Sequence, residues 1–395
     1  MNSTHIVIIG GGYSGVMAAR RLAQKTHGQP VQITLVNGSD HFVERIRLHQ
    51  VAANQGSRTI SLRNLLDHTG IGLVQGWVTK ISPESCSLTV QTTMGQQTIA
   101  YDYLINALGS FVDTARVPGA ADYALSVSTE ETTLELRERL PGIAARGGRL
   151  VVCGGGLTGI ELATELAEAY PGLKVSLLTR DQFGEQLSKR GSGYLRRTFD
   201  RLHIDIIDNA TITRITPDHV EYQGGTAAYD LCLYAAGFAV PTLAREAGLT
   251  VNAQGQVIVD DHLRSVSHPE IYTVGDAADV SDAINTPIRM ACATALPMGA
   301  YAADDLAAKL QGKSHRPHEF VYGGRCISLG RHAGLMQLVD AEDNPKEQII
   351  TGWLGAQIKE IICRYTVWQI RHARWMYYPR RPAAKRKAAH VVNFG

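Results

Sequence analysis

The sequence predicts an α/β chain built from two glycine-turn βαβ units, one nested inside the other, followed by a smaller α+β region. Three observations carry this prediction. "IVIIGGGYSGVMAARRLA" at 6–23 and "VVCGGGLTGIELATELAE" at 151–168 repeat one strand–turn–helix design. "YDYLINALGS" at 101–110 and "YDLCLYAAGF" at 229–238 are a matched pair of apolar strands, each running into a glycine. "PEIYTVGDAADV" at 269–280 adds one more strand after both.

In the first unit the apolar run Ile6–Ile9 reads as a buried parallel strand and the helical pattern runs from Ser14 to about Gln24. Gly10 permits the tight turn, Gly12 lets backbone approach a pyrophosphate, and Gly15 lets helix pack on strand. Tyr13 and Ser14 open the helix, whose N-terminal amides face the phosphates. A bare GxGxxG says little. Here it follows a strand, opens a helix, and precedes a second strand, Val31–Val36, so the pattern is that of a dinucleotide site. Where a ribose-binding acid is expected the chain has Asn37, whose amide can still bond a hydroxyl but lacks a carboxylate's charge.

The second unit repeats the construction: strand Arg149–Cys153, glycines at Gly154, Gly156 and Gly159, helix to Ala169, strand Lys174–Leu178. Leu157 and Thr158 occupy the positions that Tyr13 and Ser14 hold in the first. After the second strand comes Thr179 in place of an acid, then Arg180. An arginine here suits a 2′-phosphate, as in NADPH. Beside Asp181 it reads equally as a solvated surface residue, so the choice between NADH and NADPH stays open.

Two such units form either a tandem array or a nested pair. The strands at 101–110 and 229–238 decide for nesting: Gly109 and Gly237 mark where the chain crosses into an inserted unit and returns. The strand in 269–280 then ends at Gly275 and Asp276.

Composition bounds the remainder. The 395 residues are 44% hydrophobic, enough for two or three domains with real cores. Net charge is +2, yet residues 359–395 carry nine Lys or Arg against Glu360 alone, a tail of +8 on a body of −6. The six cysteines lie more than 30 residues apart, so no CxxC pair, metal knuckle or disulfide framework is expected. Cys153 and Cys292 fall in apolar patterns and read as buried, inert thiols. An apolar strand within five residues of Met1 leaves no room for a secretory leader, and no run of about 18 apolar residues occurs. The expectation is a cytoplasmic protein without a spanning helix and without a metal.

The order of fingerprint, "ALG" crossing, second fingerprint, "AAG" crossing and "TVGDA" resembles the pyridine nucleotide-disulfide oxidoreductase superfamily, two-dinucleotide-binding-domain flavoproteins. The resemblance spans residue 6 to about 310. It implies two Rossmann-like domains, the NAD(P) domain inserted into the FAD domain. The first unit then holds FAD, the second NADH or NADPH as electron donor, and Asp276 bonds the flavin's ribityl and phosphate region. The expected partition is 1–112 and 241–312 for FAD, 113–240 for NAD(P)H, and 313–395 for the C-terminal region.

Disulfide reductases of this type carry a redox cysteine pair soon after the first fingerprint; here that stretch is "HFVERIRLHQVAAN", 41–54, with no cysteine. In this it is similar to the type II NADH dehydrogenases and apoptosis-inducing-factor-like flavoproteins, which pass electrons from flavin straight to a quinone. Glu161 matches that branch's glutamate near nicotinamide and flavin, and reads otherwise as an acid at the positive end of a helix dipole. His49 is a second candidate proton source, or a packing residue. The departure lies at 289–310, where quinone-lining glutamines are replaced by Thr294, Leu296, Pro297 and Met298. A helix start near Pro297 would still aim backbone amides at the flavin's pyrimidine carbonyl. A soluble small-molecule acceptor, ferredoxin, or a nucleotide-sensing role are the competing readings.

After a glycine-bounded hairpin, Ile358, Ile361, Ile362, Tyr365, Val367, Trp368 and Trp375 follow helical spacing, with Lys359, Arg364, Arg371 and Arg374 between them. Such a basic, aromatic helix suits peripheral contact with the inner face of a membrane. The alternative is that its apolar face packs on the flavin domain or on a second copy in a homodimer, with "RRPAAKRK" a solvated tail. No aromatic sheet or recognition helix accompanies the basic run, so nucleic acid is not an expected partner.

Overall fold

The computed structural model describes residues 3–56, 59–281 and 288–378; the "RRPAAKRK" tail lies outside them. Five parallel strands make the first sheet, in spatial order Ile271–Thr273, Tyr103–Asn106, Thr4–Ile9, Val31–Asn37, Gly72–Gln75. Strand Thr4–Ile9 sits centrally because Ile6, Val7, Ile8 and Ile9 are fully buried, as an apolar run covered on both faces must be. Four more parallel strands, Asp205–Ile207, Lys174–Leu178, Arg149–Cys153 and Leu231–Tyr234, make the second sheet. In each sheet the strand before the glycine turn lies beside a later strand from the opposite side of the fold. That reversal opens the crevice at the strands' carboxyl ends where nucleotides bind.

The middle unit is an insertion. Its way in and way out pair with each other, Phe111↔Ala239 and Val112↔Phe238, antiparallel, just after Gly109 and Gly237. Both glycines hold a positive φ, +68° and +69°. Helix Tyr13–Lys25 packs on Cys292–Leu310 at backbone distance: a Cβ on Gly299 would stand 2.3 Å from the Ser14 carbonyl oxygen. Alanines at 300, 302, 303 and 307 continue this close seam.

The helix at 292–310 differs from expectation. It starts at Cys292, so Pro297 stands inside it rather than at its first turn. The amide that Pro297 lacks would have bonded Ala293, so one early bond is lost and the helix continues. The Thr294 hydroxyl, bonded to the carbonyls of Arg289 and Ala291 at 2.9 and 2.7 Å, fastens the earlier start. The amides available to a ligand are therefore those at 292–293, not at Pro297.

The C-terminal region is a three-stranded antiparallel sheet, Gly324–Ser328, Gly334–Val339, Pro345–Thr351, and the helix Gly352–Arg371. The helix turns its aromatic side outward, not onto the rest of the chain. Its buried stripe is Gly355, Lys359, Cys363, Thr366, Gln369 and Ile370. Trp353, Leu354, Ile361, Tyr365 and Trp368 face outward, as do Trp375 and Tyr377 beyond it. Among the described residues no helix is long and apolar enough to cross a membrane.

Candidate active site

The two glycine turns divide their labour identically. A Cβ on Gly10 would meet the Ala107 carbonyl oxygen at 2.3 Å, and one on Gly15 the Gly10 oxygen at 1.9 Å. Gly154 meets Ala235 at 2.9 Å and Gly159 meets the Gly154 oxygen at 1.9 Å. The middle glycines, Gly12 and Gly156, have nothing within 4 Å. Outer glycines thus close the turn against the fold, while the middle ones leave space in front of a helix N-terminus, the cradle an anionic pyrophosphate requires. Neither Gly12 nor Gly156 caps its helix with a side chain. Each cradle fits the pyrophosphate of a dinucleotide.

Around the first cradle, Asn37 is engaged at both ends: Oδ1 accepts from the Gly11 amide at 2.8 Å and Nδ2 donates to the Ser39 carbonyl at 2.8 Å. Tyr13 is buried against Phe42, and its hydroxyl has no partner. Gly275 turns the chain at φ +70° so that Asp276 accepts from the Ser110 hydroxyl at 2.6 Å. Burial raises the Asp276 pKa, against the Ser110 hydrogen bond and the Arg45 charge. Arg45 in turn donates to the Ser110 carbonyl at 2.8 Å. Ser110 and Arg45 escaped sequence reasoning because the stretches they lie in, 101–110 and 41–54, give neither of them a ligand position by spacing. At the second cradle Arg180 lies on the surface, forked onto Asp181 at 2.9–3.2 Å. Thr158 follows Leu157 in the first turn of the helix Leu157–Ala169.

The structure brings Glu161 and His49 together, and adds a third group. Glu161 Oε1 accepts from Lys359 Nζ at 2.7 Å and from the Ser328 amide at 2.9 Å; His49 Nδ1 stands 3.8 Å from Oε2. Glu161 is 8% exposed and Lys359 9%. Burial pushes the Glu161 carboxyl up, but the Lys359 ammonium, His49 and the Ser328 amide outweigh it and hold the pKa below the ordinary value. Lys359 is driven the other way: burial lowers it, Glu161 more than compensates, and its proton is firmly held. Burial pushes His49 down to about 4, so the imidazole is neutral at physiological pH. Its Nε2 has no partner. Arg47 ties this segment to the C-terminal helix through a fork onto Glu360 at 2.8 and 3.1 Å.

Cys326 and Cys363 border Lys359, and Cys292 feels both its charge and that of Asp276, which sets the start of the 292–310 helix between the ion pair and the aspartate. Burial raises Cys292 to about 11 and Cys326 to about 12, so both are neutral thiols, not nucleophiles. Cys292 is only half buried, unlike Cys153, which is fully covered and 3.7 Å from Cys232. A cavity of about 1000 Å³ lies between residues 42–65 and the C-terminal helix, walled by Arg47, Leu48, Val51, Val367, Trp368 and Arg371.

The family described as "pyridine nucleotide-disulphide oxidoreductase" matches residues 4–303. The chain is 26% identical to the demethylphylloquinone reductase NdbB of Synechocystis sp., over 84% of this chain and 86% of that one. It is 24% identical to a type II NADH:quinone oxidoreductase of Staphylococcus haemolyticus, over 92% and 95%. Among solved structures it resembles the sulfide:quinone oxidoreductase of Aquifex aeolicus, with a TM-score of 0.81, 20% identity, and 94% and 92% of the two chains covered. The NDH2 of Plasmodium falciparum in complex with NADH gives 0.77, 15% identity, and 96% and 99%. With the nested sheets and both glycine cradles in place, the chain belongs to the pyridine nucleotide-disulphide oxidoreductase family, flavoproteins that take electrons from a pyridine nucleotide.

Proposed function

We propose that the chain oxidises NADH or NADPH and reduces a quinone, with FAD along the Gly10–Gly15 turn and Asp276, and the nucleotide along the Gly154–Gly159 turn. Bound there, FAD supplies the two-electron chemistry, receiving hydride equivalents from the nicotinamide and passing electrons to the acceptor. The protein orients and protonates. Amides of Tyr13 and Ser14 and of Leu157 and Thr158 neutralise phosphate charge. The amides at 292–293 favour negative charge at a carbonyl set before them. Glu161 and His49 are the groups assigned to proton delivery, and Lys359 fixes the carboxylate in place.

The observation carrying this reading is the buried Glu161–Lys359 pair, built where the inserted unit, the His49 segment and the C-terminal helix meet, with protonated thiols around it and no paired cysteines after the first turn. A quinone needs protons as well as electrons, and a buried carboxylate with a fixed partner is suited to handling them. Relatives named as quinone reductases support the same acceptor. The outward Trp353, Leu354, Ile361, Tyr365 and Trp368, with Arg364 and Arg371 among them, support peripheral attachment to the cytoplasmic face of a membrane, where the cavity beside Trp368 would meet a lipid-borne quinone. The partition at 112, 240 and 312 is our reading of the crossing strands. Steady-state oxidation of NADH and NADPH with a short-chain quinone, against ferredoxin, tests the proposal. Turnover with quinone is expected; turnover with ferredoxin and no quinone overturns it.

A further inference from the structure

The helix Leu157–Ala169 carries two more carboxylates on the side of Glu161, at Glu165 and Glu168, spaced one turn apart. They are not equivalent. Glu168 reaches the surface, its Oε2 accepting from the Arg331 amide at 2.6 Å. The approach requires Gly330, since a Cβ there would stand 1.7 Å from that oxygen. Glu165 is 0% exposed, and its Oε1 has no hydrogen-bond partner. Its Oε2 accepts from the Ser328 hydroxyl at 3.3 Å. Ser328 therefore bonds both buried acids, Glu161 through its amide and Glu165 through its hydroxyl. A buried carboxyl with one bare oxygen is costly as an anion and is better satisfied as the neutral acid.

We propose that Glu165 is a proton-relay residue, held in place by the Ser328 hydroxyl and storing a proton that it passes to the neighbouring Glu161 for delivery to the reduced acceptor. This rests on the quinone reading above. The balance is NAD(P)H + H⁺ + quinone → NAD(P)⁺ + hydroquinone. Hydride supplies both electrons and one proton, and the second proton comes from water. The stored proton moves from Glu165–COOH to Glu161–COO⁻, leaving Glu165–COO⁻, and Glu161–COOH then gives it to the quinone oxygen and returns to its ionised state. Water in the 1000 Å³ cavity then restores Glu165, for Gln55 and Arg331 line that cavity and also border the Glu165 carboxyl.

The groups facing Glu165 set its titration. Burial raises it to about 7; Gln55, Ser328 and Arg331 pull it down and Glu168 pushes it up. It is the acid below that pH and the anion above, so relay-dependent turnover falls as pH rises through about 7. Glu161, held ionised by Lys359, is the hand-over point rather than the store.

The test compares wild type with E165Q, S328A and S328T in the flavin-loaded protein. The quantity read is the ratio of quinone turnover to ferricyanide turnover, since ferricyanide takes electrons and no proton. Loss of a general acid typically costs 10²–10⁴-fold, so E165Q is expected to lower this ratio at least tenfold at pH 6 and to lose the fall near pH 7. S328A should behave likewise, and S328T, which keeps a hydroxyl, should recover. Independently of activity, infrared spectra should show a protonated-carboxyl band that disappears as pH rises through about 7 and is missing in E165Q. An unchanged ratio and pH profile in E165Q, or no such band in the wild type at pH 6, overturns the relay. A wild type that reduces no quinone defeats the functional reading, while the infrared band still decides whether Glu165 stores a proton.

Discussion

Replacing Lys359 by methionine removes the ammonium 2.7 Å from Glu161 and keeps most of the buried stem. The carboxylate, 8% exposed, then has two options. If it stays ionised it bears the cost of a buried charge without its partner, about 3–5 kcal/mol. If it takes up a proton at pH 7, the penalty is about 1.4 kcal/mol for each unit above an ordinary glutamate pKa of about 4.3, or about 3.7 kcal/mol. The two routes converge, so K359M is expected to lose about 3–4 kcal/mol at pH 7. The sign of the pH dependence follows. In the wild type the lowered Glu161 pKa contributes stability above its unfolded value, lost as pH falls through the folded one. The proton-uptake penalty in K359M shrinks over the same direction, to about 1 kcal/mol at pH 5. Urea unfolding of wild type, K359M, E161Q and K359M/E161Q at pH 5, 6 and 7 checks this. The double variant should be more stable than K359M at pH 7. A K359M deficit that does not change with pH, or a double variant no better than the single, refutes the account.

Gly10→Ala and Gly12→Ala should fail differently: the first meets backbone at 2.3 Å with φ +102° and lowers the melting temperature, whereas the second has open space and should fold but lose flavin, visible as loss of the yellow absorbance on gel filtration. His49 has a depressed pKa of about 4, so the wild type is expected to lose on the order of 3 kcal/mol as pH falls from about 6.5 to 4, and H49Q should flatten that slope in acid titrations followed by circular dichroism. Arg180→Glu should shift the NADPH/NADH ratio of kcat/KM toward NADH; an unchanged ratio leaves Arg180 a surface partner of Asp181. Serine at Trp353 and Ile361, both exposed and outside the cavity wall, should weaken sedimentation with anionic vesicles while turnover of a water-soluble quinone persists.

The frame of the protein was legible because its signals are local. Strands Arg149–Cys153 and Lys174–Leu178 have the bounds read from the sequence, and each fingerprint glycine carries a steric duty within a few residues of itself. The paired crossings were legible as a repeat. The centre of the site was less so. Glu161 and His49 stood out individually, but Lys359 lies 198 residues from Glu161 and reads, by helical spacing, as one more cation on a basic face. Periodicity named the right helix there but left open which way its aromatic side faces; the helix turns its charged and small side toward the site and leaves its aromatics outside. Pro297 misled in a similar way: proline favours a first helical turn, yet the Thr294 hydroxyl secures an earlier one. Glu165 follows Glu161 by one helical turn, but Ser328 carries no pattern, since its meaning arises only when a hairpin lies across that helix.

The pairing of Phe111–Val112 with Phe238–Ala239 bears on the order in which the chain acquires shape during synthesis. All four strands of the inserted sheet exist once Tyr234 has been made, whereas the outer sheet lacks its edge until Ile271–Thr273 emerges. The interior portion is thus able to assemble while its surroundings are unfinished, and its neighbouring ends then hold residues 4–106 beside the place where the last strand must dock.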